Sequence, residues 1–318
     1  MRSAPWWLPG GHAQTIWASK VARDGLRTPP EWQRERINTP DGDFIDIDHV
    51  RAPQPDAPLL MLFHGLEGSR HSHYARALAA WVQAQDWHLA LPHFRGCSGE
   101  LNLAPRAYHS GDHAEIDFMI RHVITQHRAS GGQGAHAVGI SLGGNALMVW
   151  AAEQGEVANR WLDSVTSVSS PLDLTASGHA IGSGLNRLIY TPYFMRTMVP
   201  KALAKLRQHP GLFDEAAMRR ARDLYEFDNL FTAPLHGFKN TDDYWQRASA
   251  KPRLRDIKIR ATLLNALNDP FIPAHSLPTP ADLSPTCQLI HTPHGGHVGY
   301  VGGSLPPGHI NLADHLKI

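Results

Sequence analysis

The sequence predicts an α/β protein: a mostly parallel central sheet flanked by helices, with a helical insertion over the strand ends. Three observations lead there. Continuous apolar runs, Leu59 to Phe63 and Ala135 to Ile140, have the character of strands buried inside a sheet, and helical stretches separate them. The second run ends in Gly139-Ile140-Ser141-Leu142-Gly143, a G-x-S-x-G pattern. Its mechanics need a sharp strand-to-helix turn, a strained serine at the tip and glycines where side chains would collide. Alone, the pattern also fits a plain turn with an incidental serine. The third observation decides between these: an acid and then a histidine follow the serine, each past the end of a later strand.

A chain of 318 residues with 42% hydrophobic content can bury a large core. It reads as a single domain spanning 1–318 with a helical cap inserted over 172–250, two domains being the alternative. The net charge of +1, from 30 basic and 29 acidic residues, gives no reason to expect nucleic acid or an anionic membrane as partner. The 21 histidines make that charge climb below about pH 6.5. Two cysteines, Cys97 and Cys287, are too few for a disulfide framework and read as buried free thiols, which suits a reducing cytoplasm. The N-terminal residues lack the apolar stretch of a signal peptide, and no run approaches the roughly 20 apolar residues of a membrane span. A soluble, cytoplasmic protein without an integral membrane segment is expected. Trp6, Trp7 and Trp17 read as packing over a core edge rather than as an interfacial anchor. No internal repeat is visible, and nothing specifies an oligomer.

In chain order, Arg34 to Val50 is two runs around Pro40-Asp41-Gly42, an antiparallel hairpin. After the strand Leu59 to Phe63 comes His64-Gly65-Leu66-Glu67-Gly68-Ser69, a glycine-rich turn able to aim a backbone N–H at a developing oxyanion. The second donor is expected from the residue after the serine, so the oxyanion hole is assigned to the backbones of Leu66 and Leu142. Tyr74 to Gln85 reads as helix and Trp87 to Pro92 as strand. Cys97 and Ser98 compete as nucleophile, but the proline-broken Leu101 to Arg106 denies them a following helix. Asp112 to His127 reads as helix, with Glu115 and Asp117 as solvated or N-terminal-turn carboxylates favoured by the helix dipole. Asn145 to Glu153 continues the serine turn as helix, and Asp163 to Ser169 is the next strand. The excursion from about 175 to 250 holds helical pieces at Pro200 to Gln208 and Asp214 to Leu224.

Strands resume at Arg260 to Asn265, and Asp269 lies just past that strand in a loop stiffened by Pro270 and Pro273. There it can orient a histidine and stabilise its imidazolium. Asp256, before the strand, and Asp282, in a Pro-rich loop, are poorer acids. Thr286 to His291 is the last strand, and His297 follows it on a glycine loop as general base. His291, His294 and His297 also recur every third residue and could be metal ligands. Aligning them needs a helix, which Pro293 and Gly295-Gly296 oppose.

These residues carry a resemblance to the YheT-like branch of the α/β-hydrolase superfamily, which is similar to the eukaryotic α/β-hydrolase-domain proteins. The supporting stretches are Pro5-Trp6-Trp7-Leu8-Pro9-Gly10-Gly11-His12 with Gln14-Thr15, His64 to Ser69, Phe94-Arg95-Gly96-Cys97-Ser98-Gly99-Glu100 and Tyr108-His109-Ser110-Gly111. To these are added Ser141 to Asn145 and Gly295-Gly296-His297-Val298-Gly299. The resemblance implies the α/β-hydrolase fold and a triad of Ser141, Asp269 and His297, which agrees with the reading from order. The N-terminal anchor of the eukaryotic relatives is not recognisable here. The tail after Tyr300 lacks the tryptophan-rich closing helix of the family, and the two departures leave membrane phospholipid as substrate, and the final helix, without support from the resemblance.

The expectation is therefore a serine carboxylesterase acting on short- to medium-chain acyl esters through an acyl-enzyme, with no metal and no organic cofactor. Its partner is a small-molecule or lipid ester. The alternatives are a thioesterase or lipase, a non-catalytic binding module on the same fold, and a metal-assisted hydrolase using the 291–297 segment.

Overall fold

The computed structural model describes residues 4–316. Met1–Ser3 and Lys317–Ile318, which begin and end the leader and tail readings, lie outside the described residues. Eight strands form one sheet: β1 (Gln33–Asn38), β2 (Phe44–Val50), β3 (Leu59–Phe63), β4 (His88–Pro92), β5 (Ala135–Ile140), β6 (Ser164–Val168), β7 (Ala261–Ala266) and β8 (Cys287–Thr292). Their order is β1-β2-β4-β3-β5-β6-β7-β8. The β1–β2 and β2–β4 pairs are antiparallel and every other pair is parallel. This is the expected α/β architecture, with the hairpin at the antiparallel edge.

Successive strand side chains point to opposite faces, which divides the core in two. Met61 and Phe63 of β3 face one side with Ile116, Met119 and Trp150 from α3 (His113–Ala129) and α4 (Leu142–Gln154). Leu60 and Leu62 face the other with Leu78 and Val82 of α2 (His73–Ala84). The tail closes on that second face. β9 (Val301–Gly302) pairs antiparallel with β10 (His309–Ile310), and Leu312 and Leu316 enter the same core beside α2.

The N-terminal helix α1 (Gly11–Lys20) lies against this body. Trp7 and Trp17 pack edge to face with ring centroids 5.5 Å apart, as expected, but Trp6 is 81% exposed. The reason is local: the Trp7 and Trp17 indoles donate to the carbonyls of Gly303 and Pro307, whereas Trp6 sits in a turn facing water.

Glu115 takes the N-terminal-turn place expected of it, but not a solvated one. It is buried in the first turn of α3 and accepts from Arg95 at 2.5 Å, while Arg95 also reaches Asp43 at 2.7 Å and Asp41 at 2.9 Å. A buried guanidinium needs such partners, and they come from residues distant in sequence. Asp117 is not simply solvated either, since it accepts from the Trp150 indole at 3.0 Å and from Arg121 at 2.6 Å.

Between β6 and β7 the chain is helical: α5 (Leu174–Ile181), α6 (Gly184–Ile189), α7 (Thr191–Gln208), α8 (Glu215–Arg220), α9 (Leu224–Phe227), α10 (Ala233–Leu235) and α11 (Thr241–Ala248). Two boundaries differ from expectation. α7 begins nine residues before Pro200 and runs through it, because Met195, Met198, Ala202 and Leu203 make one buried stripe while Pro200 faces solvent. The expected single helix Asp214 to Leu224 is split, because the Asp223 side chain caps a new start by accepting from the Glu226 N–H. A single π-turn, Asp228–Thr232, follows α9. Among the described residues no helix is long and apolar enough to cross a membrane.

Candidate active site

Ser141 stands between β5 and α4 with φ 52° and ψ −119°, a strained conformation at the mouth of a central strand. The flanking glycines are required by close approach. A Cβ on Gly139 would lie 2.5 Å from the Gly144 Cα, and one on Gly143 would lie 2.5 Å from the carbonyl oxygens of Phe63 and His64. The Ser141 N–H donates to Val168 O at 2.8 Å, which pins the turn to β6.

Asp269 follows β7, and its carboxylate is buried. Oδ1 accepts from the Phe271 N–H at 2.8 Å, and Oδ2 lies 2.9 Å from His297 Nδ1. His297 follows β8, and its Nε2 lies 2.9 Å from Ser141 Oγ. Because a carboxylate only accepts, it sets the imidazole proton on Nδ1 and leaves Nε2 free to accept from the serine hydroxyl. The Phe271 ring covers the imidazole at 4.3 Å between centroids.

The loop after β3 runs against the serine, so that a Cβ on Gly65 would lie 3.3 Å from the Ser141 Cβ. Its neighbouring N–H groups are occupied. Gly65 donates to the Tyr74 hydroxyl at 2.9 Å and Glu67 to the Tyr108 hydroxyl at 3.0 Å. Among the described residues, neither the Leu66 nor the Leu142 N–H donates to a protein acceptor. Both residues line the cavity beside Ser141. His64 supports this loop from below. Burial pushes its pKa down to about 3, and the neutral ring bonds the Gly65 carbonyl at 2.7 Å through Nδ1 and accepts from the Phe94 N–H at 3.1 Å.

A cavity of about 690 Å³ lies between the strand ends and the helical insertion. Ser141 and His297 open into it, opposite Ile181, Phe194, Met198, Phe227 and Phe231. Lys201 of α7 reaches Glu67 at 2.8 Å, a direct tie between the insertion and the loop after β3.

The competing candidates are placed elsewhere. Cys97 is buried, and burial pushes its thiol up to about 12. Ser98 faces the hairpin, where its carbonyl accepts from Arg34 at 2.8 Å. Asp256 is exposed, and Asp282 accepts from the Thr279 N–H at 2.8 Å. Of the three-residue histidine series, His291 is half-buried and His294 exposed, while His297 turns to Asp269 and Ser141. Among the described residues, the grouping with metal-like spacing is a different one: His109, Asp112 and His236. Arg106 already holds the Asp112 carboxylate. The His236 nitrogens lie 2.8 and 2.9 Å from the carbonyls of Thr232 and Ala107. Both nitrogens thus face carbonyl acceptors, and the neutral ring donates to one of them.

Sequence reasoning missed Tyr74, Tyr108, Glu67 and Lys201. Tyr108 was visible in the Tyr108 to Gly111 stretch, but its partner lies 41 residues away.

Residues 58–304 match the family described as alpha/beta hydrolase fold. The chain belongs to the α/β-hydrolase family. Within that family it is YheT-like. It is 36% identical over 298 residues to "Putative esterase YheT" of Escherichia coli K12, covering 92% of this chain and 85% of that one. It is 27% identical over 312 residues to human "Phospholipase ABHD3", covering 94% and 73%. The solved esterase Pf2001 of Pyrococcus furiosus superposes with a TM-score of 0.53 at 14% identity, over 93% of this chain and 92% of that one, a likeness of fold.

Proposed function

We propose that this α/β-hydrolase is a serine carboxylic-ester hydrolase acting on short- to medium-chain acyl esters. The observation that carries the reading is the continuous hydrogen-bond chain Ser141–His297–Asp269 at 2.9 Å per link, facing a largely apolar cavity.

In this reading Ser141 Oγ attacks the acyl carbonyl while His297 Nε2 takes the hydroxyl proton. Asp269 holds the Nδ1 proton and stabilises the imidazolium. The carbonyl oxygen becomes an oxyanion and is received by the Leu66 and Leu142 N–H groups; a donor of this kind contributes about 10²- to 10³-fold in rate. The C–O bond to the alcohol breaks, His297 returns its proton to the leaving oxygen, and an acyl-Ser141 remains. Water, deprotonated by the same Nε2, then releases the acid. The helical insertion acts as a cap that excludes bulk water and shapes the acyl pocket. This chemistry uses groups of the chain and water, and needs neither metal nor organic cofactor.

The test is turnover of p-nitrophenyl esters of graded acyl length, run beside covalent labelling by a fluorophosphonate and hydrolysis of the matching acyl thioesters. Ester turnover with labelling is the expected result. Preference for the thioesters would make the protein a thioesterase, and neither turnover nor labelling would make it a binding module.

A further inference from the structure

The stretch ending Gly10-Gly11-His12 with Gln14-Thr15 contributes to the family resemblance with no role attached. In the structure it opens α1, whose first turns sit between two loops: the one after β7 that carries Asn268 and Asp269, and the one after β8 that carries Gly295 to Val298. Gln14 is buried. Its Oε1 accepts from Asn268 Nδ2 at 3.0 Å and from the Gly295 N–H at 2.9 Å, and its Nε2 donates to Leu8 O at 3.0 Å. The Thr15 hydroxyl donates to Gly11 O at 2.7 Å, which leaves its lone pair for the His297 N–H at 2.8 Å. Asn268 Oδ1 accepts from the Gly296 N–H at 3.0 Å and joins the two loops. Contact is so close that a Cβ on Gly11 would lie 1.8 Å from Asn268 O, and one on Gly296 would lie 2.5 Å from Gly11 O.

We infer that α1 is a strap that sets the Asp269–His297 pair, with Gln14 and Thr15 as positioning residues. The inference rests on the reading of that pair as acid and base. The loop bearing His297 has little stiffness of its own, since Gly295 and Gly296 take positive φ of 150° and 52°. Its backbone is instead fixed by donors aimed at α1 and Asn268. The N–H that Thr15 receives belongs to His297 itself, so it anchors the base one bond from its Cα. His297 must keep a partner on each ring nitrogen, and a displacement of about 1 Å at such a site can cost about 10²-fold in rate.

Thr15→Val removes the acceptor at nearly constant shape, and Thr15→Ser keeps it. Thr15→Val is expected to lower kcat by about 10- to 100-fold with KM little changed, and to shift or broaden the low-field proton resonance of His297 Nδ1–H. Thr15→Ser is expected to restore both, with thermal midpoints of the two variants alike. The resonance needs no substrate, so it tests the strap even if the esterase reading fails, whereas absence of any Ser141-dependent turnover in the native protein would sink only that reading. Native kcat and an unshifted resonance in Thr15→Val would overturn the inference. So would equal losses of kcat and thermal midpoint in both variants, which would make Thr15 a packing residue alone.

Discussion

Ser141 and His297 lie 156 residues apart in the chain, and their Oγ and Nε2 atoms lie 2.9 Å apart in space. Only Ser141 among the candidate nucleophiles has a base at that distance along a hydrogen-bonding direction. Ser141→Ala should abolish fluorophosphonate labelling and lower ester turnover by at least about 10⁴, leaving the contributions of the oxyanion donors and of binding. Labelling that persists in Ser141→Ala and vanishes in Ser98→Ala would move the nucleophile to the other loop.

Asp269 has a second function in the fold, since Oδ1 receives the Phe271 N–H while Oδ2 holds His297. An asparagine can still accept at one of these positions but presents an amide N–H₂ at the other. With the amide facing Nδ1, the imidazole proton moves to Nε2 and the base can no longer accept from Ser141. Asp269→Asn should therefore fold normally and lose about 10⁴ in kcat. Turnover within a few-fold of native would place the orienting carboxylate elsewhere.

The serine turn was legible because its constraint is local: the Gly139, Gly143 and Gly144 backbones meet within a few residues or against one neighbouring strand. The positions of Asp269 and His297 were legible from order, because parallel strands deliver their carboxyl ends to one edge of the sheet. Other features depend on partners that no window of sequence contains. Glu115 looked like a helix-start carboxylate, and its burial is set by Arg95 and by Asp41 and Asp43 in the hairpin. The Gln14 contact with Gly295 spans 281 residues, so its motif could be noticed without its role. Pro200 read as a helix start because proline favours a first turn, while the buried stripe that carries α7 through it is a property of the folded insertion.

Asp228, in the π-turn, gives a pH-dependent test of the insertion. Burial pushes its carboxyl up to about 6, although Thr232 Oγ1 at 2.6 Å and the Trp245 indole at 2.9 Å oppose the shift. A folded value above the ordinary 3.8 means that its contribution to stability is full below about pH 3.8 and is lost as pH rises through about 6. Asparagine can accept from Trp245 and donate to Thr232 without becoming charged. Asp228→Asn should raise stability at pH 8 by on the order of 1–3 kcal/mol, and the gain should vanish near pH 4. Urea unfolding at the two pH values measures this, and a variant less stable than native at pH 8 would contradict it.

The acyl-length profile reports on the cavity. The stretch Ile189 to Met195 divides between the cavity wall and the insertion's own core. Tyr190, Tyr193 and Phe194 line the cavity, whereas Met195 packs with Met198 and Leu203. Phe227 and Phe231 bound the cavity as well, so an acyl chain entering from Ser141 meets apolar walls of finite extent. Each methylene that fits should add about 0.8 kcal/mol of binding, close to fourfold in kcat/KM per carbon. Once the space is filled, the next carbon must displace packed side chains, and overpacking costs about 1–3 kcal/mol. Activity should therefore climb steeply, peak among short to medium chains and fall beyond the peak. A profile that continues to rise into long chains, and rises again when the substrate is presented in micelles or vesicles, would contradict this and indicate a lipase working at an interface.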